Sequence, residues 1–319
     1  MARFIIRRLI SMVFVLVAVS ILVFVIFNVI PNGDPAARMA GKNATQEQIA
    51  AIKVDWGFDK SLPEQYVKTM QKVLSGDTIS YFTQLNVVDE IKKGLPRTFW
   101  LSVGAAIIWM FFGVGFGLIS AMRAGKFTDR GLTVLALIGI SMPVFWIGAL
   151  MNYYLGFKWK LLPNGGYVEF SVDPWQWFVH LILPWTALSI LFIGVYSRVL
   201  RGNILETVNE DFVRTARAKG LSERRVLLKH VLRNSLIPIV TLWGLDFGAV
   251  IGGGAILTES VFNLQGVGQY AADSIGQLDQ PPIMVVTLFG AFFIVLFNAI
   301  VDVGYAALDP RIRLGETTA

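Results

Sequence analysis

The residues best placed to do chemistry in this 319-residue chain are spaced for contact rather than for bond-making. The densest group is the run Asp211-Phe212-Val213-Arg214-Thr215-Ala216-Arg217-Ala218-Lys219-Gly220-Leu221, where three cations are interleaved with small residues. Asn209 or Asp211 is positioned to cap a helix that runs to Lys219, and Gly220 then closes it in the left-handed region. Ser222 restarts a second helix with Glu223 at its positive end. That helix carries Arg224, Arg225, Lys229, His230 and Arg233 before Pro238. Ala216 and Ala218 add little bulk, so a second surface can approach closely. A short cationic helix of this kind is suited to docking a soluble partner.

Catalytic constellations are missing. With no cysteine, the chain has no disulfide, thiolate metal site or thiol nucleophile. Its two histidines, His180 and His230, fall on opposite sides of the apolar runs described next, so they cannot share a site. Neither H-E-x-x-H nor G-x-S-x-G occurs. Arg123-Ala124-Gly125-Lys126-Phe127 contains Gly-Lys, but Phe127 stands where a phosphate-binding loop needs Ser or Thr, and no strand precedes it. A membrane-embedded protease or transferase is therefore disfavoured. The expectation is no metal site, no cofactor in this chain and no ATP hydrolysis by it.

The elements that position the basic run are apolar. The chain is 55 % apolar and only 16 % charged, which points to the membrane class. Six stretches are long enough to cross a bilayer: roughly 9–30, 98–122, 131–155, 181–200, 236–258 and 283–308. The fourth is the weakest, since it contains Pro184 and begins beside His180. The first follows Arg3, Arg7 and Arg8 as a secretory signal would. It is longer than a signal core and no A-x-A-like site follows, so it reads as a retained span. With the N-terminus inside, the inside segments hold seventeen Lys/Arg against seven acids, nine of those cations lying between Arg198 and Arg233. Both termini are then cytoplasmic. The net charge of +6 reflects this topology and gives no reason to expect nucleic-acid binding. The expected organisation is a span at 1–30, an extracytoplasmic insertion at 31–96 and a core at 97–319 with five spans and the inside loop 201–235.

Within the fifth span, Gly244, Gly248 and Gly252 recur every four residues and form one smooth face, suited to tight helix packing or to a pathway-side contact with a partner. Asp246 is the one acid well inside that span, and a charge there is expected to line a pathway or to pair. Asp302 sits nearer the inside end, where a local pair is expected. Pro143 is placed to kink span three and Pro184 span four. In the insertion, Thr45 and Gln48 match a capping box, and Ser61-Leu62-Pro63-Glu64 opens a further helix. Trp56, Phe58, Tyr66, Tyr81 and Phe82 offer aromatic surface for capping the spans or for an external protein. The outer loop 157–179 carries Trp159, Trp175 and Trp177, as interfacial loops do. The outer loop 259–282 has three acids and no base, with Glu259, Gly266 and Gly268 marking a structured turn.

The run Arg214-Thr215-Ala216-Arg217-Ala218-Lys219-Gly220-Leu221 resembles the cytoplasmic loop of ABC-importer permeases of the dipeptide/oligopeptide type. Importer loops generally read E-A-A-x-x-x-G, and here Arg214-Thr215-Ala216 takes the E-A-A place with Gly220 at the matching offset. Ser141-Met142-Pro143, Glu259-Ser260-Val261-Phe262 with Gly266-Val267-Gly268, and Phe297-Asn298-Ala299-Ile300-Val301-Asp302 through Asp309-Pro310-Arg311-Ile312-Arg313 are similar to family signatures in the same order. Gln265 departs from the proline usual there, and Gln280-Pro281-Pro282 from the usual Arg-Asp-Tyr-Pro.

The resemblance implies an all-α membrane permease of type I importer architecture in the cell membrane. It further implies a paralogous permease partner, two ATPase subunits carrying ATP and Mg, and an extracytoplasmic substrate-binding protein, all in a lipid bilayer. Peptides are the expected substrate. Relatives of this type also import nickel complexes, glutathione-like compounds or oligosaccharides. A self-contained secondary transporter is the rival of another class; it would bring inverted repeats, and none is evident.

Overall fold

A backbone facing lipid must satisfy its own hydrogen bonds, so apolar runs of this length fold as helices. The computed structural model describes residues 2–30, 34–40 and 44–308. Among these the protein is all-α, with one isolated bridge between Ile79 and Asn86. The helices in chain order are α1 (Ala2–Phe24), α2 (Pro35–Ala40), α3 (Gln46–Trp56), α4 (Leu62–Ser75), α5 (Val87–Met122), α6 (Phe127–Ser141), α7 (Val144–Met151) and α8 (Pro174–Thr207). They continue as α9 (Asp211–Ala218), α10 (Glu223–Arg225), α11 (Leu232–Ser235), α12 (Ile237–Ala249), α13 (Ile256–Phe262), α14 (Val267–Gln277) and α15 (Gln280–Leu308). Wide π turns follow α1, α7, α10 and α12. The expected signature at Asp309-Pro310-Arg311-Ile312-Arg313 lies outside the described residues.

Among the described residues, five helical stretches are long and apolar enough to cross a membrane: Ile6–Val29, Val87–Met122, Pro174–Thr207, Ile237–Gly254 and Gln280–Gly304. The expected third span is a pair, Phe127–Ser141 and Val144–Lys158, bent by 98° at its break; counted as one span, it brings the total to six. The bend falls at Met142-Pro143, because the residue before a proline is driven out of the helical region, and Met142 is extended at φ −90°, ψ 131°. The weak fourth run becomes a 34-residue helix that continues across Pro184. It begins earlier than its hydropathy indicates because Asp173 caps it: its carboxylate accepts from Trp175 N and Gln176 N, both at 3.0 Å, with Pro174 in the first turn.

The chain divides into two compact units. The first holds the described residues through Phe99, Gly248–Ile256 and those from Gln265 onward. There α1 packs along α15, and Arg8 Nη2 meets Asp302 Oδ2 at 2.7 Å, the local pair expected for Asp302. The capping box at Thr45 forms as expected: Gln48 N donates to Thr45 Oγ1 at 3.2 Å and Thr45 N to Gln48 Oε1 at 2.9 Å. Most of the aromatic surface expected of the insertion is interior. Trp56 is 2 % exposed and packs with Phe58, Val23 and Met284, so the insertion caps the ends of α1 and α15. Trp56 Nε1 donates to the Tyr81 hydroxyl, which burial pushes up to about 12. Asp279 pins the neighbouring loop, accepting from Ser80 Oγ at 2.5 Å and from Tyr81 N at 3.3 Å. Only Phe82 of the five aromatics is largely exposed, at 65 %.

The second unit holds Trp100–Phe247 and Leu257–Leu264. Its centre is α8, against which α6 and α7 pack. Backbone carbonyls of α5 receive side-chain donors from two other helices: Trp185 Nε1 to Trp100 O at 2.9 Å, Ser189 Oγ to Ala105 O at 3.1 Å, and Trp243 Nε1 to Ala106 O at 3.2 Å. Donors aimed at helix carbonyls fix the rotation of one helix against the next where water is absent.

Candidate functional site

The basic run folds as α9, a two-turn helix. Its N-cap position is Glu210, whose side chain makes no cap hydrogen bond, so neither Asn209 nor Asp211 caps it. Asp211 instead lies in the first turn, where its charge favours the helix dipole, and its carbonyl accepts from Thr215 Oγ1 at 2.9 Å. The far end closes in the pattern that a left-handed glycine permits. Gly220 has φ +75°, Gly220 N donates to Arg217 O at 2.9 Å and Leu221 N to Ala216 O at 3.4 Å. A Cβ at Gly220 would meet nothing within 4 Å, so the glycine is required by backbone conformation and not by packing.

Two residues attach α9 to the rest of its unit. Val213 is 0 % exposed and Ala216 5 %, and their three-residue spacing puts both on the face that packs on the wide turn Val226–Val231. Asp211, Phe212, Arg214, Thr215, Arg217, Ala218, Lys219 and Gly220 are all exposed, and Leu221 is partly buried. Arg217 forms a fork with Glu223, Nε to Oε1 at 2.9 Å and Nη2 to Oε2 at 3.3 Å, which ties α9 to α10. Beside them a groove of about 690 Å³ is lined by Leu205, Val208, Arg217, Val226, Leu227 and Leu228. An anchored helix with one exposed cationic face, next to an apolar groove, can bind a partner surface.

The sequence reading missed the node that holds this end of α8. Asp129, in the first turn of α6, is 3 % exposed and its carboxylate accepts four hydrogen bonds. Arg201 donates Nε to Oδ1 at 2.7 Å and Nη2 to Oδ2 at 2.9 Å. Ser120 Oγ donates to Oδ1 at 2.5 Å and Gly125 N to Oδ2 at 2.8 Å. Removing Arg201 would take away two of the four donors from the buried Asp129 carboxylate, whereas the Arg201 side chain is itself partly exposed. The available signal was one acid, Asp129, among Arg123, Lys126 and Arg130, which the charge count treated only as topology.

The span-five residues separate. Asp246 has an intramolecular partner: Tyr196 donates its hydroxyl to Asp246 Oδ2 at 2.7 Å, and Tyr196 is fully buried beside Trp109. Gly244 is buried in the same unit. Gly248 and Gly252 belong to the first unit and face α15 of the same chain: a Cβ at Gly248 would lie 2.5 Å from Phe297 Cβ, and one at Gly252 2.7 Å from Gly290 O. Their smooth face is thus filled by a helix of this chain.

The outer-loop residues are each built into local helices. Glu259 is fully buried in α13, and its carbonyl accepts from Leu264 N at 3.0 Å. Gly266 is the N-cap of α14 and Gly268 is buried inside that helix. Gly94 of α5 comes so close to this start that a Cβ would lie 2.9 Å from Val267 N, and Thr98 Oγ1 accepts from Val267 N at 2.9 Å. Gln265 has φ +55° and donates its N–H to Gln269 Oε1 at 2.7 Å. A proline, locked near −65° and lacking that proton, cannot take this conformation, which gives the sequence departure at Gln265 a physical consequence.

Comparison with known proteins places the chain in one family. Residues 113–314 match the family described as binding-protein-dependent transport system inner membrane component, and residues 1–102 match its N-terminal counterpart. A "Probable peptide ABC transporter permease protein" of Sinorhizobium fredii is 40 % identical over 98 % of this chain and 100 % of its own length. The glutathione transport system permease protein GsiC of Escherichia coli K12 is 36 % identical over 98 % of this chain and 99 % of its own. A crystal structure of an amino acid ABC transporter with histidines superposes with a TM-score of 0.55 at 14 % identity, covering 72 % of this chain and 99 % of that one, a likeness of fold alone. The apolar helices, the exposed basic helix between α8 and α12 and two family matches that span nearly the whole sequence lead to one assignment: the chain belongs to the binding-protein-dependent transport system inner membrane components, as a multi-pass ABC importer permease.

Proposed function

We propose that this chain is the pore-forming subunit of an ATP-driven importer of di- and oligopeptides, with α9 as the helix through which the ATPases act. The observation that carries the reading is α9 itself, cationic and exposed on one face and fixed by Val213, Ala216 and the Gly220 closure on the other. Both termini and the 201–235 loop face the cytoplasm, in keeping with the excess of Lys/Arg in those segments. Two partner ATPase subunits bind ATP and Mg and hydrolyse the nucleotide. Their closure displaces α9 as a docked rigid body, and the spans of this chain and of a paralogous permease alternate between outside-open and inside-open states. An extracytoplasmic binding protein delivers the substrate.

Peptide as substrate is supported by the name of the 40 %-identical relative. Glutathione is a second reading, favoured by the 36 %-identical permease, and is itself a small peptide. Asp246 is the acid within span five, and one carboxylate hydrogen-bonded by Tyr196 can favour a cationic group such as a peptide amino terminus. The test is uptake of labelled peptides by the complex reconstituted in vesicles. Uptake should require ATP and the binding protein, and Asp246→Asn should lower the rate about threefold without reordering peptide preference. Uptake without the binding protein overturns the reading of the complex, and a changed preference in the variant moves specificity into the membrane.

A further inference from the structure

We propose that Asp129 and Arg201 are positioning residues for energy coupling: they weld the α5–α6 corner to α8 so that a push on α9 moves three helices as one body. The inference goes beyond the docking role of α9, which it takes as the point where force enters.

The geometry is that of a saturated lock. A carboxylate offers about four acceptor sites, and the four bonds on Asp129 come from three anchor points: Ser120 on α5, Gly125 in the turn, and Arg201 on α8, which supplies two donors. Asp129 is 3 % exposed, so little water reaches the carboxylate, while the Arg201 side chain stays 32 % exposed on the other side of the fork. Arg201 stands on the last two turns of α8, and α9 starts at Asp211. A second tie leaves the same two turns: Ser235 Oγ donates to Thr207 Oγ1 at 3.1 Å and Asn203 Nδ2 to Ser235 O at 3.4 Å, holding α11 just before α12. Farther along, α6 cannot slide on α8. A Cβ at Gly194 would lie 2.7 Å from Ala136 O, and one at Gly139 3.2 Å from Ile190 O. The end of α8 is therefore a branch point, tied to α5 and α6 by charge and to α11 by hydroxyl and amide. Without the charged tie, α9 would still dock, the ATPases would still turn over and α6 would still pack along α8, but the α5–α6 corner would no longer follow the end of α8.

Two measurements on the complete reconstituted complex test this. In the cysteine-free chain, spin labels at Lys126→Cys and Lys219→Cys report the distance between the α5–α6 turn and α9. Between the nucleotide-free and vanadate-trapped states the distance should change by less than about 3 Å, as within one rigid body. A larger change in the otherwise native chain overturns the proposal whether or not any variant folds. Second, Asp129→Asn should assemble normally and hydrolyse ATP while peptide imported per ATP falls about tenfold. Arg201→Lys keeps the charge but loses the fork, and should fall about threefold. A purely structural pair would lower assembly, hydrolysis and uptake together and leave peptide per ATP unchanged; that result contradicts the proposal. Failure of α9 to contact the ATPases at all would instead refute the docking reading and leave the distance result standing.

Discussion

Gly220→Val is expected to abolish peptide uptake while the chain remains folded and inserted and the ATPases continue to hydrolyse ATP. The glycine sits at φ +75° with open space where a side chain would go, so the penalty is conformational. A β-branched residue in the left-handed region costs roughly 2 kcal/mol. The helix bearing that penalty has only two turns, too short to be stable in isolation, and is anchored by Val213 and Ala216. A shift of about 2 kcal/mol changes a local equilibrium roughly 30-fold, enough to open the end of α9. A graded series separates this cause from lost contact. Gly220→Asn should stay near normal, since Asn tolerates the left-handed region. Gly220→Ala should lose a few-fold, at about 1 kcal/mol. Uptake and ATP hydrolysis measured together decide it; normal uptake by the Val variant removes the argument from Gly220.

The second large effect is on folding. Gly252→Leu should destabilise the protein by about 3 kcal/mol or more, because overpacking a tight helix contact forces the backbones apart. A Cβ there would meet Gly290 O at 2.7 Å and Ile294 Cγ1 at 2.8 Å, and a Cβ at Gly290 would come closer still to Gly252 O from the other side. One obstacle is a carbonyl, which cannot rotate away as a side chain can. Thermal unfolding in detergent should show the loss, and a purified variant with an unchanged midpoint would show that the wide turn Val250–Gly254 and α15 can separate freely. Gly276→Leu, where a Cβ meets nothing within 4 Å, is the matched control.

What was legible in the sequence was local. Apolar runs identify spans because their meaning depends only on length and the bilayer. Thr45 and Gln48 form their capping box, and Gly220 its left-handed closure, because both motifs act over a few residues. Pro143 marks the 98° bend for the same reason. What was not legible depends on long-range partners. Arg201 lies 72 residues from Asp129, and Asp279 lies 199 residues from Ser80, so neither bond leaves a trace in spacing. Trp56 and Phe58 suited either capping of the spans or an external interface, and no pattern in the sequence records that Val23 and Met284 cover them, which makes them capping residues. Asp246 was recognised as notable, but its donor Tyr196 is on another helix. The basic helix α9 was readable before the fold because its pattern is short and polar and ends at a glycine; the long-range contacts that hold it and the end of α8 were not.

The most direct test of the account is site-specific crosslinking from α9 in the assembled complex. The chain lacks cysteine, so Lys219→Cys provides a single thiol on the exposed face, with Ala216→Cys as the buried control. Lys219→Cys should react with an impermeant reagent only in permeabilised cells. A short bifunctional reagent should join it to the ATPase subunit, and Ala216→Cys should give little product. Labelling of Lys219→Cys from outside intact cells, or no ATPase adduct in a complex that still imports peptide, would contradict it.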